Sequence, residues 1–80
     1  MKLKKNIATS AEGFVFNPAT GDSFSTNPIG SEILSLLKEN KSSSEIIQTI
    51  CEKYQVEPIH FERDLDDFVA QLTDYRILES

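Results

Sequence analysis

Cysteine occurs once in these 80 residues, at Cys51, so no internal disulfide can form, and one thiol with the single histidine, His60, falls short of a zinc ligand set. Glycine is equally scarce. Gly13, Gly21 and Gly30 stand too far apart to form a phosphate-cradling loop, and they read as turn or packing positions. No apolar run approaches the roughly 18 residues of a membrane span. Met1 to Lys5 is basic but has no apolar stretch behind it, so a secretion signal is not indicated and the cytoplasm is the expected compartment. Positive charge is also thin. Lys2, Lys4 and Lys5 take three of the eight basic residues, which leaves five against thirteen acidic ones over residues 6 to 80, a net of −8. Phosphate backbones attract the opposite sign, so nucleic acid is a poor partner for the body of the chain.

A catalytic set is missing as well. Cys51 and His60 fall on different expected helices, and Cys51 borders an apolar stripe with no histidine or basic cluster near it, as a small core residue does. Asp64 and Asp67 share a helix but have no cleft to hold a sugar between them. The chain is therefore not read as an enzyme, and no metal or cofactor is called for.

What remains is one domain, residues 1–80, near the size at which a single core is only just adequate: such a chain buries roughly 60% of its unfolded surface. Its centre of interest is Gly13 to Thr26. Phe14-Val15-Phe16 and Ser23-Phe24-Ser25 flank Pro18-Ala19-Thr20-Gly21, where proline presets a turn and glycine permits positive φ on the way out, so a hairpin is predicted. Ile7-Ala8-Thr9 supplies a further strand beside Phe14-Val15-Phe16. A four-residue loop pairs Val15 with Phe24; slipping by one pairs Phe16 with Phe24 and reverses the buried face, and both registers stay open. In either, the aromatic side chains are expected to find cover under a helix layer. The second hairpin strand is sparse in charge and stops at Asn27-Pro28, so its outer edge is expected to lack a partner. Such an edge is either a plain solvated margin or a place to add an extended peptide.

Three helices follow. Asn27-Pro28 pairs a capping side chain with a proline at the first position, and Ile29, Ile33, Leu34, Leu36 and Leu37 then cover about 160° of the circumference, the broad arc of a central helix. Ser42 and Glu45 form a capping box ahead of Ile46, Ile47, Ile50 and Tyr54. Pro58 opens the third helix, whose stripe is Phe61, Leu65, Phe68, Val69 and Leu72; Ile77 and Leu78 return the tail to the core. His60, Asp64, Asp67, Gln71, Asp74 and Tyr75 occupy the bordering sector. That strip is either an acidic solvated face or a set of groups for a peptide's basic and amide functions.

The segments FVFNPATGDSF, NPIGSEILSLL, SSSEIIQTICEKYQV and RDLDDFVAQLTDYRILE, in this order over about Gly13 to Glu79, resemble the PqqD family: small proteins of quinone cofactor (PQQ) biosynthesis and, more broadly, recognition domains for ribosomally made, modified peptides. The specific part is Asp64, Phe68, Leu72 and the closing Ile77-Leu78, while the NPATG turn and NPIG helix start resemble a subgroup linked to kinase-like neighbours. The resemblance implies an α+β, winged-helix-like fold in which a three-stranded antiparallel sheet packs on three helices. It implies a non-catalytic chaperone that takes a precursor's leader peptide as a strand and presents it to a modifying enzyme, such as a radical SAM, ATP-grasp or kinase-like protein. Carried onto this chain, the strand is Asp22, Ser23, Phe24, Ser25 and Thr26, and the helix face is Asp64, Asp67, Phe68, Gln71, Leu72 and Tyr75. One departure stands out: Arg76 replaces the glycine usual before the final apolar pair, where positive φ would strain a residue with a Cβ by about 1 kcal/mol.

Two other readings remain. One is an adaptor that docks a kinase-like or ATP-grasp partner and carries no leader. The other, a winged-helix DNA-binding domain, has to contend with Glu57 to Ser80, where seven acidic residues face two basic ones. An open strand edge also permits homodimers.

Overall fold

Turn chemistry and helix caps set the element borders. In the computed structural model, which describes residues 2–79, the order is β1 (Lys2–Leu3), β2 (Ala8–Thr9), β3 (Phe14–Asn17), β4 (Asp22–Ser25), α1 (Pro28–Lys38), α2 (Ser43–Tyr54), α3 (Pro58–Asp74) and β5 (Leu78–Glu79). Strands β2, β3 and β4 form a three-stranded antiparallel sheet in chain order, and β1 pairs antiparallel with β5. The fold is α+β. No helix among the described residues is long and apolar enough to cross a membrane.

The hairpin turns through Pro18 to Gly21, with Gly21 at φ +80° and its N–H donating 2.8 Å to the Asn17 carbonyl. This four-residue loop sets Val15 opposite Phe24, the first of the two registers open to the sequence. Because side chains alternate between faces, Val15 and Phe24 then share the helix side. Val15 is buried in the core and Phe24 is half-buried against it. The expectation that all the hairpin aromatics find cover fails for Phe14, 62% exposed, and Phe16, 43% exposed. The same register that buries Val15 turns both of them onto the outer sheet face, where no helix lies. Gly13 ends the approach to β3 at φ +93°, and a Cβ there would meet the Thr26 carbonyl oxygen at 2.7 Å.

Each helix begins with the chemistry its sequence carries. The Gly30 N–H donates 2.7 Å to Asn27 Oδ1 with Pro28 in the first turn, and the Ser42–Glu45 capping box is closed in both directions. Pro58 starts α3 without a side-chain cap. Ile33, Leu34 and Leu37 of α1 bury against Ile46 and Ile50 of α2 and Phe61, Leu65 and Leu72 of α3, and Leu3, Ile7, Val15 and Ile77 complete the core. Cys51 is half-buried beside it. Lys53 of α2 pairs with Glu32 of α1, and that carboxylate raises the Lys53 pKa.

The helices end in left-handed residues that are not glycine: Asn40 at φ 62°, Gln55 at φ 52° and Arg76 at φ 59°. At α3 the Arg76 N–H donates 3.0 Å to the Thr73 carbonyl and the Ile77 N–H donates 3.0 Å to the Leu72 carbonyl, the paired bonds of a Schellman ending. Leu72 and Ile77, both fully buried, supply its apolar contact. The reversal at Arg76 sends the tail back as β5 beside β1, an element pair absent from the sequence reading. There Leu3 is buried between exposed or half-exposed lysines, and the Lys4 N–H donates 2.9 Å to the Ile77 carbonyl.

Two outcomes follow from the caps. Arg76→Gly keeps the backbone geometry and removes the left-handed penalty, so it should raise unfolding free energy by about 1 kcal/mol, read as a higher urea midpoint at unchanged slope. The second concerns acid. Hydrogen bonds from the Ser42 backbone, then from its hydroxyl side, hold the Glu45 carboxyl below its ordinary value of 4.5. A depressed native pKa contributes stability that is full above the unfolded value and disappears as pH falls through the native one. Amide protection at the start of α2 should therefore decline below about pH 4.5, while Glu45→Gln should show lower protection at neutral pH and lose this dependence.

Candidate functional site

The β4 margin is built by ladder parity. The Thr26 N–H donates 2.8 Å to the Gly13 carbonyl, inward toward β3. Alternation along an antiparallel ladder gives Phe24 and Asp22 the same inward direction and turns the main-chain groups of Ser23 and Ser25 outward. The opposite strand agrees: Phe14, across from Ser25, directs its N–H to Ser10 Oγ at 3.2 Å and its carbonyl to the Ser10 N–H at 3.0 Å, away from β4. Among the described residues nothing pairs with the outer side of β4.

Beneath that margin runs a furrow between β4, the start of α1 and α3. Its upper part, a recess of about 220 Å3, is lined by Phe24, Ser25, Thr26, Asn27, Phe68 and Gln71. Its lower part, about 250 Å3, takes in Ile29, Gly30, Val56, Phe61 and Asp64 and shares Asn27 and Phe68 with the first. Phe68 thus forms the ridge between two cups. Gly30 lies beside this ridge: a Cβ there would crowd Thr26 Cβ at 3.0 Å and Asn27 Oδ1 at 3.2 Å and would stand 3.4 Å from the Phe68 ring.

Of the residues singled out in the sequence, Phe24, Ser25, Thr26, Asp64, Phe68 and Gln71 line this furrow. Tyr75 stacks on Phe24 with ring centroids 4.7 Å apart and closes the end nearest the hairpin turn. Asp22, Ser23 and Asp67 are exposed and line neither recess, and Leu72 is fully buried in the core, supporting the helix face from behind. Asn27, Ile29, Gly30 and Val56 were missed. Ile29 and Gly30 read as the start of a core helix, Asn27 as its cap and Val56 as part of the link between α2 and α3.

The spacing of the furrow depends on Asn17, the only buried polar side chain among the described residues. Its Oδ1 accepts from the Ala19 N–H at 3.0 Å, and its Nδ2 donates to the carbonyls of Tyr75 at 3.3 Å and Arg76 at 3.4 Å. These bonds tie the hairpin turn to the end of α3 and so fix Phe24 against Tyr75. Asn17→Ala leaves buried partners unpaired and is expected to cost about 1–3 kcal/mol by urea unfolding. It should also move the Phe24 and Tyr75 ring resonances apart in NMR, which loss of stability alone would not do.

Comparison with known proteins agrees with this architecture. The family model described as "Coenzyme PQQ synthesis protein D (PqqD)" matches residues 12–78, which contain β3, β4 and all three helices. Among solved structures, "TbiB1 in Complex with the TbiA(beta) Leader Peptide" superposes with a TM-score of 0.93 at 35% identity, covering 100% of this chain and 96% of that one. No curated protein matches. With the family pattern matched across the hairpin and helices and the whole chain superposed on a solved relative, the protein belongs to the PqqD family.

Proposed function

We propose that this protein is a non-catalytic chaperone that captures the leader of a ribosomally made precursor peptide and presents it, in the cytoplasm, to a modifying enzyme of the radical SAM, ATP-grasp or kinase-like kind. The observation that carries this reading is the unpaired outer side of β4 lying directly over the furrow against α3. TbiB1, alike over the full chain, is a protein whose structure holds a leader peptide.

In this proposal the leader lies alongside Asp22, Ser23, Phe24, Ser25 and Thr26, and the outward main-chain groups of Ser23 and Ser25 supply bonds that demand no particular sequence. Selection comes from side chains that enter at every second position. The face offered to them is Phe68, Gln71 and Tyr75 with Leu72 behind, and Asp64 and Asp67 at the rim favour a basic or amide group. A Kd near micromolar, about −8 kcal/mol, suits a carrier that must release its cargo.

An adaptor that docks a kinase-like or ATP-grasp partner without carrying a leader is the second reading, and the exposed pair Phe14 and Phe16 favours it. The two part on whether a precursor peptide is encoded near the gene and on a titration with its leader. Leader carriage predicts saturable binding that Ser23→Pro and Ser25→Pro each weaken at least about tenfold. Proline on the free side of an edge strand removes no internal bond, so both variants should keep their unfolding midpoints. If both prolines bind the leader as tightly as the parent, strand addition is wrong.

A further inference from the structure

Half of the chain's cationic side chains gather at one place. Lys2, Lys4, Lys5 and Lys38, four of the eight lysines and arginines, line a single groove of about 330 Å3 between the first strand and the carboxyl end of α1. Among the described residues none of the four has a carboxylate oxygen within 4.0 Å, whereas Lys41 and Lys53 each do. The carboxylates nearest in the chain or across the sheet are Glu39, next to Lys38, and Glu79, opposite Lys2 in the β1–β5 register. Like charges at this spacing repel, and the rest of the chain carries only four cationic against thirteen acidic residues, a net of −9, so the cluster stands out from an otherwise acidic molecule. The groove floor is closed by Leu3, Ile7 and Leu37, all buried in the core, so it offers charge at its rim and no open apolar cup.

We propose that this basic groove docks an acidic segment of a second protein. Charge complementarity chooses the occupant. A nucleic acid or an anionic membrane presents charge over a wide area and would meet the acidic remainder of the surface, whereas a short acidic stretch on a protein can meet four lysines and nothing else. The groove also lies apart from the β4 margin. That margin borders the start of α1, and the 11 residues of the helix place its other end about 16 Å away. Both positions can therefore be filled at once. Docking here does not depend on the leader-binding reading.

Fluorescein-labelled hexaglutamate is the probe, with anisotropy read at 20 mM and 150 mM salt (about a threefold change in screening length). Saturable, salt-sensitive binding is expected, and amide shifts in the 15N-labelled protein should fall on residues 2–7 and 37–40. Lys38→Glu should weaken binding at least about tenfold, and Lys5→Gln, in a loop and so without effect on the helix, about threefold. Arg63→Glu makes the same net charge change outside the groove and should alter affinity less than about twofold. Ser23→Pro should bind hexaglutamate as the parent does, which separates failure here from failure of leader carriage. The proposal is overturned by the absence of saturable binding, by equal losses in Lys38→Glu and Arg63→Glu, by shifts centred elsewhere, or by tighter binding to a DNA duplex or to phosphatidylserine vesicles than to the peptide.

Discussion

A buried carboxamide holds this molecule's two halves in relation. Pleat alternation from Val15 sends the Asn17 side chain inward, into a place where an amide must find partners or cost about 1–3 kcal/mol. The partners are the Ala19 N–H within the turn and the carbonyls of Tyr75 and Arg76. The Tyr75 carbonyl, at the C-cap, is among the last four that a helix leaves without intrahelical donors, and Arg76 follows it outside the helix. The hairpin therefore docks on α3 only where α3 stops, and the stopping point is set by the left-handed Arg76. A longer or shorter α3 would present different carbonyls and move Tyr75 away from Phe24.

This constraint makes the furrow a fixed shape between rigid elements. The hairpin is anchored at one end by Asn17 and at the other by Gly13, whose carbonyl takes both the N–H and the hydroxyl of Thr26, at 2.8 and 3.1 Å. Its free edge is only four residues long and carries Asp22, Ser23 and Ser25. Short length and polar side chains limit indiscriminate pairing with other edges, which is the hazard any open strand brings. On the proposed reading an incoming strand would have to contribute something beyond main-chain bonds, and the cups on either side of Phe68 are where its side chains would do so.

Much of this was legible in the residues. Asn27-Pro28, the Ser42–Glu45 box and Pro58 name their helix starts because local hydrogen bonding and fixed φ act within a few positions, whereas the strained ending at Arg76 was expected from the family resemblance, in which glycine is usual there. The hairpin register was legible only as two alternatives, since Val15, Phe16 and Phe24 are all apolar enough to face a core. The four-residue loop broke that tie and carried Asn17 inward, a role that could not be read ahead: a turn asparagine usually bonds within its own turn, and the far carbonyls lie 58 and 59 positions along the chain. The β1–β5 pair was hidden for a related reason. Two-residue strands carry no period, and Leu3 among lysines gives no pattern.

The site was half legible for the same physical cause. Helix periodicity places Asp64 and Gln71 in the sector bordering the α3 stripe and assigns Phe68 and Leu72 alike to the stripe itself; in the fold Phe68 lines the face and Leu72 lies under it. The contribution of α1 was invisible because Ile29 and Gly30 look like the start of an ordinary core helix. Only in the fold do Thr26, Asn27 and the Phe68 ring close around the missing side chain at Gly30. A furrow is a property of two surfaces at once, so one helix wheel can give its direction but never its depth. Depth here comes from the smallest residue on one helix lying beside an aromatic on the other, while the Asn17 bonds fix the hairpin side of the furrow against the end of α3.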